Sequence, residues 1–116
     1  MPREYKAYLK DILRAINKIN RYTENISLEE FKKNELIQDG VVRNLEIIGE
    51  ATKNIPESIK KDNPDVEWKK IGGLRDILIH VYFGIDTEII WDIIKNKVPE
   101  LKEKIENILA KLGTDE

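Results

Sequence analysis

The 116-residue sequence contains no cysteine, one histidine and one methionine. Without thiols there is no disulfide framework, no thiolate nucleophile, no Cys-ligated zinc and no iron–sulfur cluster, and the pattern fits a reducing, cytoplasmic compartment. With no second imidazole, and with carboxylate pairs that lack convergent partners, no metal or other cofactor is expected. Long apolar runs are missing too. None approaches the ~20 residues of a membrane-spanning helix, so no membrane association is expected, and Met1-Pro2-Arg3-Glu4 is unlike a signal peptide. Nor is there an excess of one charge, since 20 Lys and Arg against 22 Asp and Glu leave a net −2. That balance argues against a broad DNA-reading surface, whose affinity comes from surplus cations meeting phosphates, and leaves room for a small anion pocket.

What is present is a chain with 36% charged and only 7% aromatic residues, rich in Lys, Glu and Ile. Such a composition suits an all-α protein, and the length suits one domain spanning residues 1–116. Tyr8, Leu9, Ile12, Ile16 and Ile19 recur at spacings of three and four, which predicts a first helix from Pro2 to Tyr22. Ser27 followed by Glu30 reads as a capping box opening a short helix with Leu28 and Phe31. A long helix from near Asn34 carries the stripe Ile37, Val41, Leu45, Ile48, Ala51 and Ile55 until Pro56, which suits the first turn of a brief helix through Ile59. Asp62-Asn63-Pro64-Asp65 is a loop by composition. A helix from Lys70 to Phe83 ends at Gly84, and Asp86 can cap another bearing Ile89, Ile90, Ile93 and Ile94. Pro99 starts or kinks the last helix, whose stripe is Leu101, Ile105, Ile108 and Leu112. Short connections between long helices favour an antiparallel bundle of four to five helices.

One segment exceeds what a bundle helix needs. At about 100° per residue, Leu74, Ile77, Leu78 and Val81 form the core face, with Ile71 extending it, while Ile79 and Phe83 fall on the opposite side where water is expected. A helix apolar on two faces has two neighbours, and a second copy of the same helix would give a two-fold dimer. Asp76 and His80, four residues apart, are helix neighbours, so the carboxylate can orient the imidazole and favour its protonated form. Arg75 and Tyr82 share a ridge, whereas Arg75 and His80 lie about 140° apart on an ideal helix. Bringing those two to one centre requires the long guanidinium arm, a distortion before Gly84, or the other copy. From these residues alone His80 is either a surface or interface histidine or an acid–base group.

The stretch Arg75-Asp76-Ile77-Leu78-Ile79-His80-Val81-Tyr82 matches R-x4-H-x-Y and resembles the signature of HepT-like toxins in the HEPN superfamily of small helical ribonucleases. Asn44-Leu45-Glu46-Ile47-Ile48-Gly49-Glu50-Ala51 is similar to the family's second block, and Trp68-Lys69-Lys70-Ile71-Gly72-Gly73-Leu74 to the lead-in of the signature. The resemblance thus covers nearly the whole chain. It implies a bundle that dimerises, or forms a dimer of dimers, around a shared cleft and cuts RNA without a metal. His80 would be the acid–base group, Arg75 the phosphate clamp and Asp76 the supporting carboxylate, chemistry that suits a group titrating near neutrality and a two-toothed cation. It further implies an antitoxin partner, a nucleotidyltransferase of the MNT type, with Tyr82 as the residue that receives AMP. Read without the resemblance, Tyr82 is an interface aromatic with its hydroxyl hydrogen-bonded.

Two further groups stand out more weakly. Arg43, Glu46 and Glu50 form a polar stripe that is either solvated or turned towards the shared cleft or a partner, and Lys60, Lys61, Lys69 and Lys70 bracket a loop where they either meet solvent or guide RNA. Trp68 is expected in the core. The competing functional class is a non-catalytic helical subunit that docks the nucleotidyltransferase or nucleotides.

Overall fold

The structure is a computed structural model that describes residues 4–74, 76, 78 and 87–113. Its elements are α1 (Tyr5–Thr23), α2 (Leu28–Lys33), α3 (Glu35–Lys53), α4 (Glu57–Asp62), α5 (Trp68–Gly72), α6 (Thr87–Asp92), a π turn (Ile93–Lys97) and α7 (Val98–Gly113). Among the described residues there is no strand, and the all-α bundle expected from the apolar periodicity is the architecture found. No helix among them is long and apolar enough to cross a membrane.

The three long helices each bury one stripe. Leu9, Ile12, Ile16 and Ile19 of α1 meet Val41, Leu45, Ile48 and Ala51 of α3, and Leu101, Ile105 and Ile108 of α7 close the core. α3 runs chiefly along α1, with α7 packed on α1 and α5 on α3. The buried polar residues are satisfied within their own helices: Thr23 and Thr52 donate to the carbonyls of Ile19 (2.8 Å) and Ile48 (2.7 Å), and Asn44 Nδ2 donates to Gly40 O (2.8 Å). This back-bonding to the preceding turn lets hydroxyls and an amide sit inside an apolar core without an orphaned group.

Local chemistry sets the short elements. Ser27 caps α2 as the sequence predicts, with the Glu30 amide donating to Ser27 Oγ (3.2 Å) and the Ser27 amide to Glu30 Oε1 (3.1 Å). Asn34 Oδ1 accepts from the Ile37 amide (3.0 Å) and opens α3. Pro56 is the residue before α4, and that helix continues past Ile59 to Asp62. Trp68 is buried, with its indole Nε1 donating to Asn63 O (2.9 Å).

Two departures from the periodicity have physical causes. The helix expected without a break from Lys70 is interrupted at Gly73, whose amide bonds back to the carbonyls of Ile71 and Lys69. Two consecutive glycines make continuation of the helix entropically costly there. The second lies before Pro99, where the expected separate helices are joined through the π turn and the Val98 amide reaches Ile93 O, five residues back. Proline supplies no amide to the preceding turn and its ring crowds the carbonyl four residues earlier, so a widened turn relieves the clash. Ile89 is 46% exposed, outside the core that Ile90 and Ile94 join.

Candidate active site

Of the residues singled out for chemistry, Asp76 is described, while Arg75, His80 and Tyr82 lie outside the described residues, as do Ile77, Ile79, Val81, Phe83, Gly84 and Asp86. Asp76 is helical and exposed. Its amide bonds to Gly73 O (3.0 Å), so the helical turn restarts directly after the glycine break. Leu74 and Leu78 are buried at 8% and 1% exposure. They are the two described members of the core face assigned to this segment, and Asp76, between them in sequence, is turned to solvent as that face requires.

A close approach of backbones fixes where the segment begins. A Cβ added at Gly49 of α3 would stand 3.3 Å from Ile71 O and 3.8 Å from Leu74 Cβ. The missing side chain therefore lets the end of α5 rest on α3. Replacing Gly49 by valine forces branched carbons against a backbone carbonyl that cannot rotate away, and overpacking of this kind costs about 1–3 kcal/mol. A thermal melt lowered by several degrees is the expected result, and an unchanged melt would show that α5 is free to shift.

Two open clefts flank this junction. The first, of about 420 Å3, is lined by Tyr8 and Asp11 of α1, by Arg43, Glu46, Glu50, Lys53 and Asn54, and by Gly72. The stripe Arg43, Glu46 and Glu50 lines this opening, with Arg43 and Glu50 exposed to solvent. The other, of about 450 Å3, is lined by Thr52, Lys53, Glu57, Lys60, Lys61, Trp68, Lys69 and Gly72. Lys53 and Gly72 belong to both. Lys53 escaped notice in the sequence although it continues the 43, 46, 50 spacing by three more residues, a signal that could have found it.

Lys70 parts company with its neighbours. Its Nζ lies 2.7 Å from Glu67 Oε2, and Lys97 approaches the other oxygen at 4.0 Å. The hydrogen bond from Lys70 and its charge hold the Glu67 carboxyl below the usual carboxylate range, and Glu67 in turn raises the Lys70 ammonium. Lys104 Nζ donates to Asp65 O (2.6 Å) and Glu100 Oε1 (2.9 Å), tying the loop before α5 to α7. Among the described residues no group of three or more His, Cys, Asp or Glu is placed to hold a metal ion.

An all-α bundle in which a glycine-set junction precedes an R-x4-H-x-Y stretch of sequence defines a class of small helical proteins. The chain belongs to the HepT-like ribonuclease family, whose model matches residues 12–108. It is 44% identical to a probable ribonuclease HepT of Thermococcus cleftensis over 93% of this chain and 98% of that one. It is 47% identical to an RNase candidate of Methanocaldococcus jannaschii over 100% of this chain and 98% of the relative. An RNase candidate of Caldanaerobacter subterraneus is 42% identical over 91% of this chain and 95% of its own length. No solved structure gives a significant match.

Proposed function

We propose that the chain is a metal-independent endoribonuclease, the toxin of a type II toxin–antitoxin pair, acting at a cleft shared by two copies. The observation that carries the reading is the match of the HepT-like ribonuclease model across residues 12–108, a span that includes the whole Arg75 to Tyr82 signature. Arg75 holds the scissile phosphate through two guanidinium N–H groups. His80 takes the proton from the 2′-hydroxyl, whose oxygen attacks phosphorus as the bond to the 5′-oxygen breaks, and a proton is returned to that leaving oxygen. One chain has one imidazole, so a two-fold pair supplies one for each proton transfer. Asp76, exposed and helical, supports His80 as a carboxylate one turn earlier.

The products are a 2′,3′-cyclic phosphate and a 5′-hydroxyl. Purified, unmodified protein cutting RNA in the presence of a chelator, with those termini, is the expected result. Ends bearing a 3′-hydroxyl and a 5′-phosphate, or cutting that stops in chelator, would refute the metal-independent route.

Control is exerted at Tyr82. An MNT-type nucleotidyltransferase antitoxin directs the Tyr82 oxygen onto the α-phosphorus of ATP, pyrophosphate leaves, and the phenolic proton passes to a base on the partner or to solvent. The attached AMP puts bulk and negative charge beside Arg75 and repels an anionic substrate. Intact mass after incubation with the active partner and ATP should rise in adenylyl steps, and Tyr82→Phe should stay unmodified and continue to cut RNA. A Phe variant modified to the same extent would remove Tyr82 from the scheme.

A further inference from the structure

We propose that the cleft bounded by the ends of α3, α4 and α5 is a binding groove for the phosphate backbone of single-stranded RNA, separate from the residues that do the chemistry. The inference rests on the ribonuclease reading for the identity of the polyanion, and on the geometry of the cleft for its existence.

Lys53 sits in the last turn of α3, Lys60 and Lys61 in the last turn of α4, and Lys69 in α5. Lysine at a helix C-terminus is favoured by the local carbonyl dipoles wherever it points, so that preference accounts for the residue type but not for the convergence. Three helix ends from separate parts of the chain bring four lysines around one opening, with Glu57 as the single acid among the lining residues. This happens in a chain whose net charge is −2. Some lysines outside the cleft have carboxylate partners, among them Lys32 with Glu88 (2.7 Å), Lys70 with Glu67 (2.7 Å) and Lys104 with Glu100 (2.9 Å). Among the described residues, Lys53, Lys60, Lys61 and Lys69 form no ion pair, which leaves a concentrated positive field for a ligand to neutralise.

The wall of the cleft tells what kind of contact is available. Trp68 lines it but is only 9% exposed, with its indole N–H committed to Asn63 O. No base can stack on a ring so covered, and recognition falls to the ammonium groups and the strand's phosphates, a mode that positions RNA without reading its sequence. Gly72, in the same wall, lies three residues before Arg75. A strand held here is delivered to the start of the signature segment. In-line attack by a 2′-hydroxyl needs a backbone free to rotate, which selects an unpaired strand.

The test uses full-length unmodified protein and a mixed-sequence 2′-O-methyl oligonucleotide, which binds but cannot be cut. Titrations across a salt series are compared for wild type and for Lys53→Gln/Lys60→Gln/Lys61→Gln/Lys69→Gln. The slope of log affinity against log salt should fall by about 0.7 per lysine, close to 3 in all, with affinity at ~0.1 M salt about 10²–10³-fold weaker. In cleavage assays the same variant should raise KM and leave kcat in place. Four Lys→Arg changes at these positions should retain the wild-type slope, as should a charge-matched variant, Lys10→Gln/Lys18→Gln/Lys33→Gln/Lys102→Gln, whose changes lie outside the cleft. An unchanged slope in the cleft variant, an equal fall in the charge-matched one, loss of binding in the arginine variant, or a wild type that does not bind RNA would each overturn the groove. Wild-type protein that binds with the expected slope and cuts nothing under any condition would instead overturn the nuclease reading and leave the groove standing.

Discussion

Replacing His80 by glutamine is expected to lower RNA cleavage by about 10²–10⁴-fold while leaving RNA binding intact, because a positioned proton-transfer group contributes about that much. Glutamine keeps the size and a hydrogen-bonding head but cannot exchange a proton near neutral pH. The residual rate should lose the dependence on pH that an imidazole imposes around neutrality. Arg75→Ala should cost about 10²–10³-fold, the usual effect of removing one electrostatic stabiliser of the developing charge. Arg75→Lys should restore little of it, since an ammonium offers a point charge where two parallel N–H groups are required. Single-turnover cleavage of a defined RNA in chelator, across a pH series, measures all three. Equal cutting by wild type and all variants would assign the activity to a contaminant, and full cutting by His80→Gln beside loss in Arg75→Ala would remove His80 as the proton-transfer group.

Phe31→Ala is expected to cost about 3–5 kcal/mol of stability, the range for truncating a fully buried aromatic. The ring is completely buried, and it is the one buried residue of α2. It lies 5.3 Å from the Trp91 ring, centroid to centroid, so it joins α2 to α6 as well as to the core. The capping box at Ser27 positions the helix end without burying anything, and the exposed ion pair of Lys32 with Glu88 across the same two helices is weakly stabilising at best. Removing the ring therefore removes the one buried side chain of α2 and leaves the Gln38 amide, which donates to the Phe31 and Lys32 carbonyls (2.7 and 3.1 Å), as a polar tie to α3. A melt lowered by about 10 °C or more should follow in a domain of this size. Leu36→Ala is the control: Leu36 is 83% exposed, and its loss should change stability by less than about 0.5 kcal/mol. Equal effects from the two would mean that α2 is not anchored through Phe31.

The stripes on α1, α3 and α7 were legible because one period accounts for each of them: Leu9, Ile12, Ile16 and Ile19 inside, then Val41, Leu45 and Ile48, then Leu101, Ile105 and Ile108. Helix periodicity is a local property, and these helices are long enough to express it. The break at Gly73 and the widened turn before Pro99 were less legible, since both are settled by competition between neighbouring hydrogen bonds. Ile89, next to the buried Ile90, falls on the outer side of α6, so residue type alone does not tell which isoleucines of that helix enter the core. At the candidate site the signature gave residue identities, and the structure adds its solvent-facing carboxylate, Asp76, the inward Leu74 and Leu78, and the junction on Gly49. The lysine groove was half visible. Lys60, Lys61 and Lys69 stood out as a charged loop, but only the tertiary fold replaces Lys70, engaged by Glu67, with Lys53 from a different helix.

The two tryptophans occupy unlike surroundings. Trp91 is half-buried against Phe31 with the Lys95 ammonium 4.6 Å from its ring centre, and Trp68 sits almost covered in the wall beside Lys69. The molecule therefore carries two built-in fluorophores with separate assignments: one whose emission follows the seating of α2 on α6, the other held under cover where the loop before α5 meets the bundle. A Trp68→Phe protein would keep Trp91 as its one tryptophan, so the docking of α2 could be followed optically without attaching a dye.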